Sequence, residues 1–298
     1  MTLLDPGVIA DAFRFPFRNA RLVAAGAGLY AVVFAVQTVI TAYAAAGVGW
    51  AAMAAVVTVI AAFAAFVVAL AAWGRVALQR GSAALGLGGD EGRLLWVCVL
   101  VLILVFTVIG TAFLALAFML AGLALINVDA AQEPPEGFVN IFALYGTGEL
   151  FVAIALGAVF VLFSLWFFLR LALAYPATVD QGRVQVLTAW PLSGRRRAVE
   201  MIVTLVLAAA PGVAVLIGFN VLSDALVGAW PGAAQSAVQG PTGEGAMSVS
   251  PIAFAFVALI YGAAKMALVA APCAAALCAL YLKYRAADQA AGEGGVEA

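Results

Sequence analysis

The sequence of 298 residues contains no histidine, which removes the side chain that most often serves as general base, proton shuttle or metal ligand. Charged residues are scarce as well, at 10% of the chain against about 25% in a typical soluble domain. The three cysteines, Cys98, Cys273 and Cys278, lie in apolar runs without a second thiol at zinc-ligand spacing. We therefore expect no catalytic, cofactor-binding or metal-binding residues, no cofactor, and no enzymatic activity.

An excess of positive charge is also missing, because 14 basic residues are balanced by 15 acidic ones. A nucleic-acid-binding domain normally carries a basic patch or stripe, so nucleic acid is not an expected partner. The abundant residues are apolar: they make up 66% of the chain, and the mean hydropathy is +1.14. This composition belongs to the membrane class, and membrane lipids are the expected partners.

Crossing the hydrocarbon core takes about 20 apolar residues, and six runs of this kind occur in the chain. The predicted fold class is therefore all-α: a polytopic membrane helix bundle of six transmembrane helices arranged as three hairpins. The predicted spans are residues 22–46, 50–73, 94–126, 150–169, 202–221 and 252–282. We expect one integral membrane domain over residues 1–285, followed by a short, acidic, disordered tail over residues 286–298.

The basic residues predict the orientation. Thirteen of the 14 fall on one side of the predicted spans, and the exception is Lys265. Loops rich in Lys and Arg stay in the cytoplasm, so both termini are predicted to be cytoplasmic. The predicted location is the plasma (inner) membrane.

Two cytoplasmic segments are expected to form short interfacial amphipathic helices. Their apolar faces consist of Ile9, Phe13 and Phe17 in the first segment, and of Val184, Leu187 and Trp190 in the second. In the first segment the arginines recur on a different face. In the second, Pro191 is expected to end the helix.

A loose internal repeat follows helices 2 and 4. "RVALQRG" leading to "DEGRLL" is echoed by "RLALAYP" leading to "DQGRVQ", and a weaker third copy, "LKYRAADQ", follows helix 6. The repeat singles out seven charged residues: Arg75, Asp90, Glu91, Arg93, Arg170, Asp180 and Arg183. We interpret them as a structural network that joins the cytoplasmic helix ends, and a lipid-headgroup or anion site is the alternative.

The segments "RLALAYPATVDQGR", "LTAWPLSGRRR" and "GLGGDEGRLL" resemble the bacterial six-helix inner-membrane families related to the membrane domain of glycerophosphoryl diester phosphodiesterase. The matching positions are Arg170, Pro176, Asp180, Gly182, Arg183, Trp190 and Gly194, with Asp90, Glu91 and Arg93 in the earlier loop. The resemblance implies a six-helix membrane fold. It does not imply phosphodiesterase activity, because that activity resides in a separate soluble barrel, which is expected to be absent.

Two features of helices 5 and 6 stand apart from the repeat. Asp224 and Lys265 have matched depths when residues are counted from the cytoplasmic ends, which predicts a pair near the outer boundary of the membrane. Two side chains that reach the interface separately are the alternative. Pro211, Gly212 and Pro272 also predict that both helices are broken.

The favoured function is a non-enzymatic integral membrane protein, acting as a membrane scaffold or as a module that binds anionic lipid or a protein partner. A small transporter that uses broken helices 5 and 6 is the first alternative. A membrane-embedded enzyme is the second. The sequence predicts neither a particular protein partner nor an oligomeric state.

Overall fold

The computed structural model describes residues 5–45, 47–80, 85–86, 88–125, 147–187, 190–193, 195–227 and 251–293, and these ranges contain no strand. The α-helices are α1 (Pro6–Arg18), α2 (Ala20–Ala45), α3 (Gly49–Ala77), α4 (Gly89–Leu125), α5 (Thr147–Ala172), α6 (Ala174–Gln181), α7 (Arg195–Val227), α8 (Pro251–Lys265) and α9 (Ala271–Glu293). A 3₁₀ turn, Trp190–Ser193, precedes α7. A π-helical segment, Met266–Ala270, joins α8 to α9.

Six helical stretches are long and apolar enough to cross a membrane, and each contains at least 25 residues. They are Ala20–Ala45, Gly49–Ala77, Gly89–Leu123, Thr147–Gln181, Arg197–Val221 and Phe254–Ala290. The fourth runs through α5 and α6, and the sixth runs through α8, the π segment and α9. The prediction of an all-α, multi-pass helix bundle is confirmed.

The hairpin of α2 and α3 closes through a very short turn. Gly47 adopts a left-handed conformation (φ 82°), which a residue with a side chain rarely adopts. Its N–H donates to the carbonyl of Ala44 at 3.0 Å, and the N–H of Val48 donates to that of Tyr43 at 3.1 Å. These bonds satisfy carbonyls left open at the end of α2, so the chain reverses within a few residues.

The chain forms two compact units. The second unit, Cys98–Ala172, contains most of α4 together with α5, whose contacts include Phe113 against Phe160 with ring centroids 6.0 Å apart. The first unit contains Met1–Val97 and Leu173–Ala298. The charge clusters and grooves described below belong to the first unit. Arg170 belongs to the second unit.

The core of the first unit surrounds Trp73 near the end of α3. Its side chain is fully buried, and the indole N–H points to the carbonyl of Leu22 on α2 at 3.5 Å. A Cβ on Gly26 would lie 3.1 Å from the indole ring, so glycine is what lets α2 approach this closely. The neighbouring core residues are largely alanines from α2, α3 and α9, which allow the close helix packing common in membrane proteins.

Helix α1 lies along α9 and runs in the opposite direction. Asp5, which caps the start of α1, contacts Lys283 at 3.2 Å. Further along α1, Ala12 packs in one cluster with Ala276, and Phe15 packs in another with Ala271. Helix α1 therefore covers α9 from about Ala271 to Lys283, which keeps this apolar part of α9 from solvent.

Helix α1 packs on the protein through a face other than the predicted interfacial one. Val8, Ala12 and Phe15 are buried, whereas Phe17 is 83% exposed. At 100° per residue, Ile9, Phe13 and Phe17 form a second apolar face beside the buried one. Pro16 lies inside the helix without ending it. Helix α1 thus has two apolar faces, one against the protein and one directed outward.

The second predicted amphipathic helix is absent over residues 183–187, which are irregular. Helix α6 ends at Gly182, which adopts a left-handed conformation (φ 61°) and turns the chain away from the helix axis. Gln185 is then held in place by a hydrogen bond from its N–H to the hydroxyl of Thr178 at 3.1 Å. Pro191 lies within the 3₁₀ turn, so the helical spacing of Val184, Leu187 and Trp190 does not correspond to one helix face.

Neither of the two helices predicted to be broken is interrupted. Helix α7 continues through Pro211, and the sixth stretch accommodates Pro272 by widening into the π segment. Proline has no N–H to offer the carbonyl four residues earlier, that of Leu268, and a π-bulge is a common response to such a disruption. A Cβ on Gly212 would lie 2.2 Å from this carbonyl oxygen, so glycine allows α7 to pack directly on the widened turn.

Helix α9 continues to Glu293, so the predicted disorder of the C-terminal tail is wrong for residues 286–293. Arg197 of α7 pairs with Asp288, which attaches this part of α9 to the protein. Residues 294–298 lie outside the described ranges.

Candidate functional site

Charged side chains of the first unit form three clusters, and the α3–α4 cluster contains four of the predicted residues. The Arg75 Nη1 atom donates to the Glu91 Oε1 atom at 2.6 Å and lies 3.9 Å from Asp90. Arg93 donates to Asp90 at 3.0 Å, and the N–H of Gly88 donates to Glu91 at 3.0 Å. Arg75 lies at the end of α3 and both acids lie in the first turn of α4, positions that the two helix dipoles favour.

A cavity of about 410 Å³ opens beside the α3–α4 cluster, and both of its arginines face carboxylates of the same cluster. An anion entering this cavity would have to displace Asp90 or Glu91. Since Glu91 is buried and also caps the start of α4, the arrangement fits a structural ion-pair network better than an anion site.

The Asp180 cluster joins the ends of α3 and α6 to the middle of α9. Its carboxylate is 3% exposed and receives the Arg80 Nε atom at 2.8 Å, the Tyr281 hydroxyl at 2.9 Å, and the Arg285 guanidinium. Arg80 follows α3, whereas Tyr281 and Arg285 belong to α9. One carboxylate on α6 therefore ties α3 to α9.

A strained turn brings Arg80 to Asp180. Gln79 adopts a left-handed conformation (φ 56°), and the N–H of Arg80 donates to the carbonyl of Arg75 at 2.7 Å. A left-handed conformation at a non-glycine residue costs about 1 kcal/mol or more. The chain is thereby directed from α3 towards α6.

The structure divides the seven predicted residues between different neighbourhoods. Arg170 lies over the ring of Trp166, 5.3 Å from its centroid, and Arg183 donates to the side chain of Gln181 at 3.1 Å. Neither arginine is an ion-pair partner of Asp180 among the described residues. The partners that sequence reasoning missed are Arg80, which stands in the first copy of the repeat, and Arg285, which stands in the weak third copy.

The Glu200 cluster was not predicted. Glu200, near the start of α7, accepts from Lys283 at 2.6 Å and from the Tyr284 hydroxyl at 3.2 Å. Lys283 also hydrogen-bonds to Asp5, and this contact is the main reason why the pKa of the Asp5 carboxyl is lowered from its ordinary value. The cluster fastens the start of α1 to α7 and α9.

Three arginines near the junction of α1 and α2 differ from those in the clusters. Arg14, Arg18 and Arg21, which we call the basic row, are all exposed. Among the described residues, the single ion pair of the basic row joins Arg18 to Asp11 at 3.9 Å, with both side chains about two-thirds exposed. An exposed pair at this distance contributes almost nothing to stability, so the charge of the basic row is available to a ligand.

The predicted pair of Asp224 and Lys265 is not aligned. The rings of Phe219 on α7 and Tyr261 on α8 contact each other at a tilt with centroids 6.0 Å apart, and Gly212 lies against Leu268, so in this antiparallel register Lys265 is level with Val215. The backbone of Asp224 lies about nine residues further along α7, roughly 13 Å away. The side chain of Asp224 lies outside the described part of the chain.

The described ranges contain no group of three or more Cys, Asp or Glu side chains placed to hold a metal ion. The helices and ion pairs of the described residues identify the class of the protein. It is an all-α, multi-pass membrane protein whose helices are joined by ion pairs. No protein-family model, curated protein or solved structure matches the chain.

Proposed function

We propose that this chain is a non-enzymatic, multi-pass protein of the bacterial inner membrane that binds anionic phospholipid at its cytoplasmic surface. The observation that carries the proposal is the exposed basic row, Arg14, Arg18 and Arg21, beside the outward-facing Phe17. Anionic headgroups attract arginines at the membrane surface by about 1 kcal/mol each, and a phenylalanine on the apolar face of an interfacial helix inserts at the boundary of headgroups and acyl chains.

The contrast with the other cations supports this choice of residues. Arg75, Arg93 and Lys283 each lie within 3.2 Å of a carboxylate, so their charge is largely neutralised within the protein. The basic row has no comparable acidic partner among the described residues. A lipid phosphate would supply the missing negative charge without breaking an existing ion pair.

The proposed orientation places both termini in the cytoplasm, because 13 of the 14 basic residues flank the ends of the spans on that side. The resemblance to the six-helix inner-membrane families supports a bacterial inner-membrane location. The engagement of Asp90, Glu91 and Asp180 in ion pairs supports a non-catalytic role, since these carboxylates already have structural partners.

The test is the lipid selectivity of the purified full chain in nanodiscs. The fraction of spin-labelled phosphatidylglycerol held by the protein is compared with that of spin-labelled phosphatidylcholine. The triple variant Arg14→Gln, Arg18→Gln and Arg21→Gln should lose selectivity for phosphatidylglycerol, by about fivefold for each arginine. Arg183→Gln is the matched control for a single charge, because Arg183 is exposed and hydrogen-bonds to the neighbouring Gln181. Unchanged selectivity in the triple variant would contradict the proposal.

A further inference from the structure

The basic row borders a groove that continues into a second, apolar groove. The first groove, of about 530 Å³, is lined by Arg18, Asn19 and Arg21. The second, of about 370 Å³, is lined almost entirely by apolar side chains of α1, α2, α7 and the π segment. Phe17 and Ala20 line both grooves. The charged groove and the apolar groove therefore adjoin at Phe17 and Ala20, where α1 meets α2.

The apolar groove is a consequence of the backbone. Pro211 and Gly212 of α7 and Leu268 and Pro272 of the sixth stretch all line it. Gly212 brings the α7 backbone against the carbonyl of Leu268, and the widening of the helix before Pro272 displaces the π segment. Pro211, Gly212 and Pro272 contribute little or no movable side chain to the floor of the groove, so the backbone sets much of its shape.

We propose that the two grooves together form one site for a single diacyl phospholipid with an anionic headgroup. This inference rests on the proposed function and assigns it a discrete location. The phosphate lies at Arg18 and Arg21, where guanidinium groups can bind phosphate oxygens in a bidentate manner. One acyl chain follows Phe17 into the apolar groove and ends beside Pro211 and Pro272.

Charge complementarity argues for a phospholipid as the occupant. A bare apolar groove would fit any hydrocarbon, but the second groove, which has almost no polar surface, adjoins a first groove that is lined by two exposed arginines. A free phosphate would use only the first groove. An anionic phospholipid uses both, and its headgroup and chain are connected in the same order as the two grooves.

The two grooves are expected to contribute differently to the binding of the phospholipid. Inside a bilayer an acyl chain gains little hydrophobic free energy by leaving its neighbours, because the lipid tails are as apolar as the protein surface. The arginines therefore supply most of the affinity, whereas the groove decides where the chain lies. Arginine variants should weaken binding, and groove variants should move the chain.

The test uses the full chain in phosphatidylcholine nanodiscs with a small fraction of phosphatidylglycerol that carries a diazirine on one acyl chain. After irradiation, labelled peptides should come from residues 13–24, 211–215 and 267–272. The variant Ala24→Phe fills the groove and should reduce labelling of these segments at least about fivefold. Ala115→Phe is the matched control, because Ala115 is an equally exposed alanine on α4 that lines neither groove.

The discrete lipid site and the proposed function on which it rests would be contradicted by different results. If labelling of the wild-type protein spreads evenly over the outer faces of α4 and α5, the discrete site is overturned whatever the variants do. If Ala24→Phe leaves the labelling pattern unchanged, the groove is not occupied, although arginine-dependent selectivity would still support the proposed function. If Arg18→Gln with Arg21→Gln leaves selectivity for phosphatidylglycerol intact, the proposed function itself is wrong.

Discussion

The substitution Asp180→Asn tests whether the Asp180 cluster holds the first unit together. It keeps the shape of the side chain and leaves an oxygen that can accept from the Tyr281 hydroxyl, but it removes the negative charge between Arg80 and Arg285. Two guanidinium groups would then face each other without a counter-charge. We expect the contacts of α6 with α3 and α9 to weaken.

The expected loss of stability follows from the exposure of the Asp180, Arg80 and Arg285 side chains. Removing one member of a fully buried ion pair costs about 3–5 kcal/mol, because the remaining charge stays in a dry environment. Here the carboxylate is 3% exposed, but Arg80 is 51% and Arg285 40% exposed, so both arginines recover water when the carboxylate is lost. A hydrogen bond to a charged group contributes about 1.5–3 kcal/mol. We therefore expect a loss near 2 kcal/mol, or about 3 °C in melting temperature for a protein of this size.

The assay is thermal unfolding of the detergent-solubilised protein, followed by intrinsic fluorescence at one fixed scan rate, because membrane proteins often unfold irreversibly. Asp90→Asn is the matched control. Asp90 is 33% exposed and pairs with a half-exposed Arg93, so its loss should cost no more than about 1 kcal/mol. The reasoning is refuted if Asp180→Asn lowers the melting temperature no more than Asp90→Asn does.

Four further predictions concern single positions. Gln79→Gly should raise stability by about 1 kcal/mol, because glycine adopts the left-handed turn (φ 56°) without strain, and a lower melting temperature would contradict this. Gly212→Ala should destabilise by about 1–3 kcal/mol, because its Cβ would lie 2.2 Å from a carbonyl oxygen of the π segment, whereas Gly218→Ala, with no atom within 4 Å, should be neutral in the same melting assay. Lys265→Leu should raise the melting temperature, because it removes a charge from the exposed surface of an apolar helix, and a lower value would indicate a partner for the ammonium group. An alkaline-phosphatase fusion after Leu187 should be inactive, and activity there would reverse the proposed orientation.

Hydropathy was sufficient to predict the fold class. The transfer of an apolar segment into hydrocarbon depends on the residues of that segment alone, so six spans can be recognised without knowing which helices touch. The scarcity of charge also made the charged residues at the helix ends conspicuous, and the repeat singled out Arg75, Asp90 and Glu91 of the α3–α4 cluster, in which both carboxylates lie within 3.9 Å of Arg75. That cluster is local, because its members lie on either side of one short loop.

Which side chains form ion pairs with each other could not be predicted from the sequence in the same way. Asp180 has Arg183 three residues away and Arg170 ten residues away, yet it pairs with Arg285, which is 105 residues away. Local spacing brings a side chain to a helix end, but which other helix ends lie beside it is decided by how the helices pack. The same holds for Asp224 and Lys265: counting residues matches their depths, whereas the register of α7 and α8, which offsets their backbones, depends on contacts such as that of Phe219 with Tyr261.

The sequence by itself determined the class of protein, the number of spans and the sparsity of chemical groups, because each of these depends on composition and on short-range pattern. Only the tertiary structure decided which apolar face of α1 packs on α9, since Val8, Ala12 and Phe15 are no more apolar than Ile9, Phe13 and Phe17. It also decided that Gly212 meets the widened turn before Pro272, which leaves the groove beside the basic row open. Both outcomes depend on the shapes of two surfaces that are distant in sequence, and shape complementarity appears only when those surfaces are packed together.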